Sequence, residues 1–185
     1  MPTVPQTKAT WTNGVDALSS TNLHAYLRDP LRFLMNKPIC RVRQTVAQSI
    51  PSNADTPLTF TTEDIDTDPD AIGGHSTSTN TSRFTARYAG WYRTGGGVAI
   101  STAGAGTTGF RGSSWFVNGA LVSGSKLYFP NNSTAATVLP ARSMLVYLNE
   151  GDYIELAGYQ NQGSAVNTFT GTEFQSSMDI TWERL

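Results

Sequence analysis

From Cys40 to Glu183 apolar and polar residues alternate with a period of two, in roughly ten short runs separated by Gly, Pro and Asn. Side chains of an extended chain point alternately to opposite faces, so each run buries one face and solvates the other. Met178, Ile180 and Trp182 against Asp179, Thr181 and Glu183 form such a pair of faces. Cys40, Val42, Val46 and Ile50 share a face, as do Leu58, Phe60 and Thr62, and then Phe84, Ala86 and Tyr88. Further runs fall at residues 97–102, 114–122, 126–129, 136–138, 143–148, 153–159 and 177–183. Asn118-Gly119 predicts a type I′ hairpin, because both residues tolerate positive φ. No helical period follows Met35, and short strands without helices make a mainly β, antiparallel sandwich.

One run departs from the one-sided pattern. Ser143 to Leu156 reads strand, Asn-Glu-Gly-Asp turn, strand, and predicts a hairpin. Met144, Val146 and Leu148 share one face of its first strand, and Leu145 and Tyr147 make the other largely apolar too. Such a strand is expected to be buried twice, once in its own sandwich and once against a neighbouring subunit.

The 185 residues suffice for one core with a short attachment segment, divided near Pro38 into residues 1–37 and 38–185. Charged residues are 15% of the chain and the net charge is -1, which gives no basic field for a nucleic-acid backbone and no polybasic membrane patch. No run approaches the ~18 apolar residues of a membrane span, and no secretion signal is recognisable, so synthesis in a cytoplasm and no membrane insertion are expected. The Asn-X-Ser/Thr triplets starting at Asn80, Asn131 and Asn132 then read as chance products of a Ser/Thr/Asn-rich chain. Cys40 is the sole cysteine, so no intrachain disulfide forms, and its strand setting marks a small buried residue.

Residues 1–10 are rich in Pro and Thr and predict an extended arm, followed by Trp11 and an Asn13-Gly14 turn. Ser19, Ser20 or Thr21 can cap a helix whose Leu23, Tyr26, Leu27, Leu31 and Leu34 fall on one stripe. Pro30 cannot donate to the Tyr26 carbonyl, while Asp29 can cap a new turn starting at Pro30, so a kinked helix or two short helices are expected. A helix this short is marginal alone and needs a surface to lean on. That surface is either the base of its own domain or a partner in a larger assembly, with Trp11, Leu23, Leu27, Leu31 and Leu34 as the docking residues.

Four segments in order carry a family resemblance: Phe60-Thr-Thr-Glu63 with Asp66-Thr67; Arg83-Phe84-Thr-Ala86 with Ala89-Gly90-Trp91-Tyr92; Phe116-Val-Asn118-Gly119; and Leu148-Asn-Glu-Gly151-Asp152-Tyr-Ile-Glu-Leu156. Over residues 40–185 the chain resembles the globular jelly roll of complement component one q and tumour necrosis factor. That resemblance implies a ten-stranded jelly roll forming a homotrimer, with the aromatic-rich strands near the three-fold axis and Trp91, Tyr92, Met144, Val146, Tyr147 and Leu148 in the core or at the subunit contact. The opening, Thr10-Trp11 with Asn22-Leu23-His-Ala-Tyr26-Leu27-Arg28-Asp29-Pro-Leu31-Arg-Phe33-Leu34, resembles that of short structural proteins of tailed bacteriophages. The collagen-like stalk and secretion signal of the animal jelly-roll proteins are missing, which argues against a secreted ligand.

Catalysis finds little support. His24 and His75 are far apart in sequence and belong to no metal-binding spacing, no Gly-x-Ser-x-Gly elbow occurs, and Cys40 has no base beside it. Glu63 to Asp70 is an acidic run in which alternation along an extended loop would place several carboxylates on one side, making Asp64, Asp66 and Asp68 candidate ligands for a hard cation. It lacks the Gly and Glu positions of a calcium-binding helix-loop-helix, so a solvated connection with Asp-Pro turns, without metal or other cofactor, is expected. Gly104-Ala-Gly106-Thr-Thr-Gly109 satisfies a dinucleotide-binding spacing, but a strand-like stretch follows it where a helix is needed, which leaves a loop. Residues 95–113 and 160–171 are expected to be exposed loops able to carry recognition.

These readings combine into a non-enzymatic bacteriophage virion protein made in the host cytoplasm: a trimer in a tail tip or short fibre, joined to other virion proteins through residues 1–37 and touching a host-surface glycan or protein. The alternatives are a capsid decoration protein gripped by the same arm, and a carbohydrate- or receptor-binding module with a shallow aromatic site.

Overall fold

Alternating burial sorts the strands of the computed structural model, which describes residues 3–12, 19–102, 108–131 and 135–185, into two facing antiparallel sheets. The strands are, in chain order, β1 (Ile39–Arg43), β2 (Ser49–Ile50), β3 (Thr56–Pro57), β4 (Thr62–Thr67), β5 (Arg83–Thr85), β6 (Gly90–Ile100) and β7 (Phe110–Val117). They continue with β8 (Ala120–Leu121), β9 (Leu127–Pro130), β10 (Thr137–Pro140), β11 (Leu145–Leu148), β12 (Tyr153–Gln160), β13 (Val166–Asn167) and β14 (Ser177–Arg184). The first sheet runs β10-β6-β14-β1-β4 with β11 also on β6; the second runs β3-β12-β7-β8 with β5 on β12 and β9 on β7. A short β2-β13 pair closes one end. The jelly-roll sandwich expected from the alternation is present, with some of its strands divided into shorter segments.

The apolar faces meet between the sheets. Trp115, Tyr92, Phe60, Leu58, Leu148, Ile154, Leu156, Met178 and Ile180 are fully buried, and each large side chain so removed from water contributes roughly 1.5–3 kcal/mol. The Trp115 indole donates to the Arg142 carbonyl at 2.8 Å and the Tyr92 hydroxyl to the Tyr88 carbonyl at 2.7 Å, so the polar tips of both core rings are satisfied. Met178, Ile180 and Trp182 face inward, and Asn118 (φ 51) with Gly119 (φ 78) makes the β7-β8 turn, both as the sequence indicates. Val46 does not join Cys40, Val42 and Ile50 inside; it lies beyond the end of β1 and is exposed.

Ser143 to Leu156 is not a hairpin. β11 pairs with β6 in the first sheet while β12 pairs with β3, β5 and β7 in the second, so Asn149 to Asp152 forms a corner between sheets. Strand pattern and turn residues look the same in a hairpin and in such a corner. Only the pairing partners, distant in sequence, distinguish them.

β6 serves two partners in succession, β11 along Gly90–Arg93 and β10 along Gly97–Ile100. Gly96 lies between them at φ 138, where a Cβ would collide with the Ser177 carbonyl of β14. The strand therefore absorbs Gly95–Gly97, and the connection read as an exposed loop from residue 95 shrinks to residues 101–109. The second loop, residues 160–171, likewise contains β13.

Residues 20–35 form one continuous helical run: α1 (Ser20–Leu23), a π-helical turn (His24–Arg28) and α2 (Asp29–Met35). Ser19 caps it by accepting from the Asn22 amide. The helix widens just before Pro30, where the Asp29 amide reaches back to the His24 carbonyl, so two short α-helical pieces flank a π turn. The wider turn takes up the ring of Pro30 and its missing donor, which explains why the run continues past the proline. Asn13-Gly14, most of Gly104–Gly109 and the Asn132-Ser133-Thr134 triplet lie outside the described residues.

Candidate assembly interface

The helix touches the sandwich through a residue outside its apolar stripe. Phe33 is buried edge-on against Tyr88 and Trp182, with ring centroids 5.1 and 4.7 Å away, and Pro30 is buried beside it. The stripe itself is open: Leu23, Tyr26, Leu27, Leu31 and Leu34 are 37–59% exposed and Met35 is 82% exposed. Packing of the stripe against its own domain, one of the two readings the sequence left open, is therefore not what the chain does. Trp11 folds back edge-on to Tyr26 at 6.0 Å, with Lys8 Nζ over both rings, and stays half-exposed.

The six residues assigned to core or subunit contact separate by face. Tyr92, Val146 and Leu148 point into the sandwich, and Met144 packs against its margin. Trp91 and Tyr147 are cross-strand partners on the outer face of the first sheet, 5.5 Å apart edge-to-face, and both are more than a third exposed. Leu145 and Arg93 form the next outward pair, Arg93 holding Glu183 at 2.6 Å. The row extends from Arg93 through Thr181 to Ile39. A groove of about 370 Å³ lined by Leu34, Met35, Ile39, Ile65 and Thr181 then joins this face to the helix stripe. Two apolar patches, one on the sheet and one on the helix, are thus joined by a row that passes the Arg93–Glu183 pair and Thr181. Exposed aromatic and aliphatic groups in contiguous patches mark association surfaces.

The acidic run does not gather its carboxylates. Residues 62–67 are a strand rather than a loop, with a bulge opposite Arg41/Val42 that leaves Asp64 as the extra residue. Glu63 and Asp66 therefore sit opposite the inward Val42 and Cys40, while Asp64 turns to Arg43 at 2.8 Å and Arg41 at 3.3 Å. Asp66 accepts from the Gly74 and His75 amides at 2.9 and 2.8 Å. Burial raises the Asp66 carboxyl above its usual range, against the lowering effect of those amides. Asp68 accepts from the Asp70 and Ile72 amides and pairs with Arg87 at 3.1 Å. Among the described residues no three His, Cys, Asp or Glu side chains are placed to hold a metal ion, so Asp64, Asp66 and Asp68 do not converge as the even spacing suggested. The bulge broke the alternation on which that reading relied.

The His75 side chain is fully buried, with Nδ1 2.9 Å from Glu63 Oε1 and Nε2 3.1 Å from the Thr81 carbonyl. It holds the Gly73–Thr81 loop against β4. His24 is exposed on the helix, so the structure does not bring the two histidines together. Cys40 is buried against Asp66, and burial first, then the Asp66 charge, pushes its thiol far above the ordinary range. A thiol held protonated is a poor nucleophile.

Sequence reasoning missed Phe33 as the anchor of the helix, since Phe33 lies off the stripe that drew the assignment. It also missed an aromatic cluster of Phe110, Tyr128 and Tyr159, which sits on three different strands and leaves no local signature.

No family model and no curated protein matches the sequence. Solved structures do match in shape. The globular domain of zebrafish complement 1qA protein superposes with a TM-score of 0.53 at 14% identity, covering 80% of this chain and 99% of that domain. Murine APRIL gives 0.55 at 11% identity, with 80% and 99% covered. The vertex protein P5 of the phage PRD1 gives 0.51 at 16% identity, with 80% and 97% covered. Identities this low establish the jelly-roll fold that the sequence resemblance implied.

Proposed function

We propose that this chain is a non-enzymatic structural protein of a bacteriophage particle, working as a homotrimer whose N-terminal helix docks into a neighbouring virion component, at the tail tip or in a short fibre that meets the host surface. The observation that carries this reading is the open stripe of Leu23, Leu27, Leu31 and Leu34 on a helix pinned to its own domain by Phe33 and Pro30. An apolar stripe left on the outward side of a helix already anchored to its domain marks an association surface. The likeness to a phage vertex protein agrees with a structural role on a particle, and the outward Trp91, Tyr147 and Leu145 supply the face on which copies of a jelly roll would associate. In a capsid decoration protein the same stripe would grip the shell, and the location of the protein on the particle separates the two.

The test is a Leu27→Glu/Leu31→Glu double variant of the full chain. It is expected to keep the wild-type mass in sedimentation and to be lost from purified particles, while gold-labelled wild-type protein marks its place at the tail tip. Incorporation of the variant at wild-type level would refute the docking role.

A further inference from the structure

On the outer face of the second sheet, Tyr128 of β9 and Tyr159 of β12 stand on either side of Gly112 of β7 in one cross-strand row. A Cβ at Gly112 would lie 2.6 Å from the Leu127 carbonyl oxygen and 3.0 Å from Tyr128 Cδ1. Only glycine lets the flanking strands bring their rings together across β7. The two centroids are 5.2 Å apart at 64°, and Phe110, two residues before Gly112 and so on the same face, adds a third ring 6.2 Å from Tyr128. Phe110 and Tyr128 are half-exposed, at 50% and 52%.

Charge does not dominate this surface. Lys126 Nζ lies 4.6 Å from the Tyr159 centroid and 5.3 Å from that of Tyr128, and it is neutralised by Asp55 at 2.6 Å. Burial is the largest single influence and would lower the Lys126 pKa, but the hydrogen bonds to Asp55 and Tyr128 and the Asp55 charge together raise it, so the ammonium stays charged and paired with Asp55. The margins carry amides: the Tyr159 hydroxyl donates to Asn53 Oδ1 at 3.4 Å, and Asn161 Oδ1 accepts from the Phe110 backbone at 2.5 Å. The cluster sits where β12 ends at Gln160, paired with Arg111. The N-terminal helix packs at the opposite end, by Tyr88 and Trp182.

We propose, building on the structural role argued above, that Phe110, Tyr128 and Tyr159 form a platform for a neutral sugar of the host surface. Flat rings take the C–H face of a pyranose, amides at their edges pair with its hydroxyls, and a closed Lys-Asp pair offers nothing to an anionic group. That absence of net charge is the complementarity that favours a neutral glycan over an acidic one. A protein receptor would need roughly 800 Å² of matching surface per partner, whereas the three rings are flanked here by Asn53, Asn161 and the Lys126–Asp55 pair. Three copies on one trimer would raise a weak single-site affinity through avidity.

The test is saturation-transfer NMR on the full-length protein with maltotriose, cellotriose and triacetylchitotriose, alongside Phe110→Ala, Tyr128→Ala and Tyr128→Phe. Transfer to at least one trisaccharide is expected, with affinity falling about tenfold or more in each alanine variant and retained in Tyr128→Phe. No transfer from the wild type to any of the three would overturn the proposal, as would transfer undiminished in both alanine variants. Host adsorption abolished by protease treatment of cells but not by periodate would overturn it too, in favour of a protein receptor. Both alanine sites are surface positions, so unchanged particle incorporation of these variants keeps the assembly role separate from sugar binding.

Discussion

The Asn118 side-chain amide donates to Asp152 Oδ1 at 2.7 Å across 34 residues of chain, tying the β7-β8 turn to the corner at which the chain changes sheets. The other half of the Asn118 amide accepts from the Tyr153 backbone at 3.0 Å, and Asp152 Oδ2 accepts from the Asn149 backbone and side chain at 2.7 and 3.0 Å.

This clasp should be visible as a pH-dependent stability. The Asn118 amide, then the Asn149 donors against slight burial, hold the Asp152 carboxyl below its usual range. A carboxyl whose folded value is depressed stabilises the protein above its unfolded value, about 3.9, and loses that contribution as pH falls through the folded value. Asp152→Asn should therefore cost about 1 kcal/mol at pH 7, discounted for the partly exposed site, and progressively less below pH 4. Urea unfolding of both proteins at pH 7 and pH 3 measures the difference. An equal gap at the two pH values would contradict the assignment.

Cys40 should be silent in the native protein. Its buried, raised thiol gives little thiolate at neutral pH, so Ellman's reagent is expected to titrate no thiol before denaturation and one per chain after it. Rapid native labelling would show that β1 opens more readily than its pairing with β4 and β14 implies.

Phe33→Ala should release the helix without unfolding the sandwich. Large-to-small changes of a buried Phe typically cost about 3–5 kcal/mol. Here detachment of residues 20–35 can relieve most of that, because Phe33 and Pro30 are the buried residues of α2. Hydrogen exchange should show lost protection in residues 20–35 and near-native protection in β6, β12 and β14. Uniform loss across the sheets would mean that the helix is integral to the core.

The alternation of Met178, Ile180 and Trp182, the Asn118-Gly119 turn and the buried Cys40 were all legible in sequence, because each depends on neighbours one to four residues away. The outward placement of Tyr147 was legible only as a second apolar face, and that of its partner Trp91 was not legible at all. Pairing was not legible. The corner at Asn149–Asp152 looks like a hairpin until β11 is seen to pair with β6 and β12 with β7, and the carboxylates of β4 look aligned until a bulge displaces Asp64. Likewise, Phe33 stands off the helical stripe, and Phe110, Tyr128 and Tyr159 meet only because Gly112 lies between two of their strands. Local chemistry sets faces and turns, whereas contacts between distant strands decide which faces become sites.

The helix leads through a short link into β1, which is bonded on both sides, to β14 and to β4. Tension arriving through the N-terminal tether therefore meets two ladders loaded lengthwise together, where a terminal edge strand would unzip one bond at a time. Under the docking role proposed above, a pull on residues 1–37 would be shared between both neighbours of β1 instead of peeling a single strand.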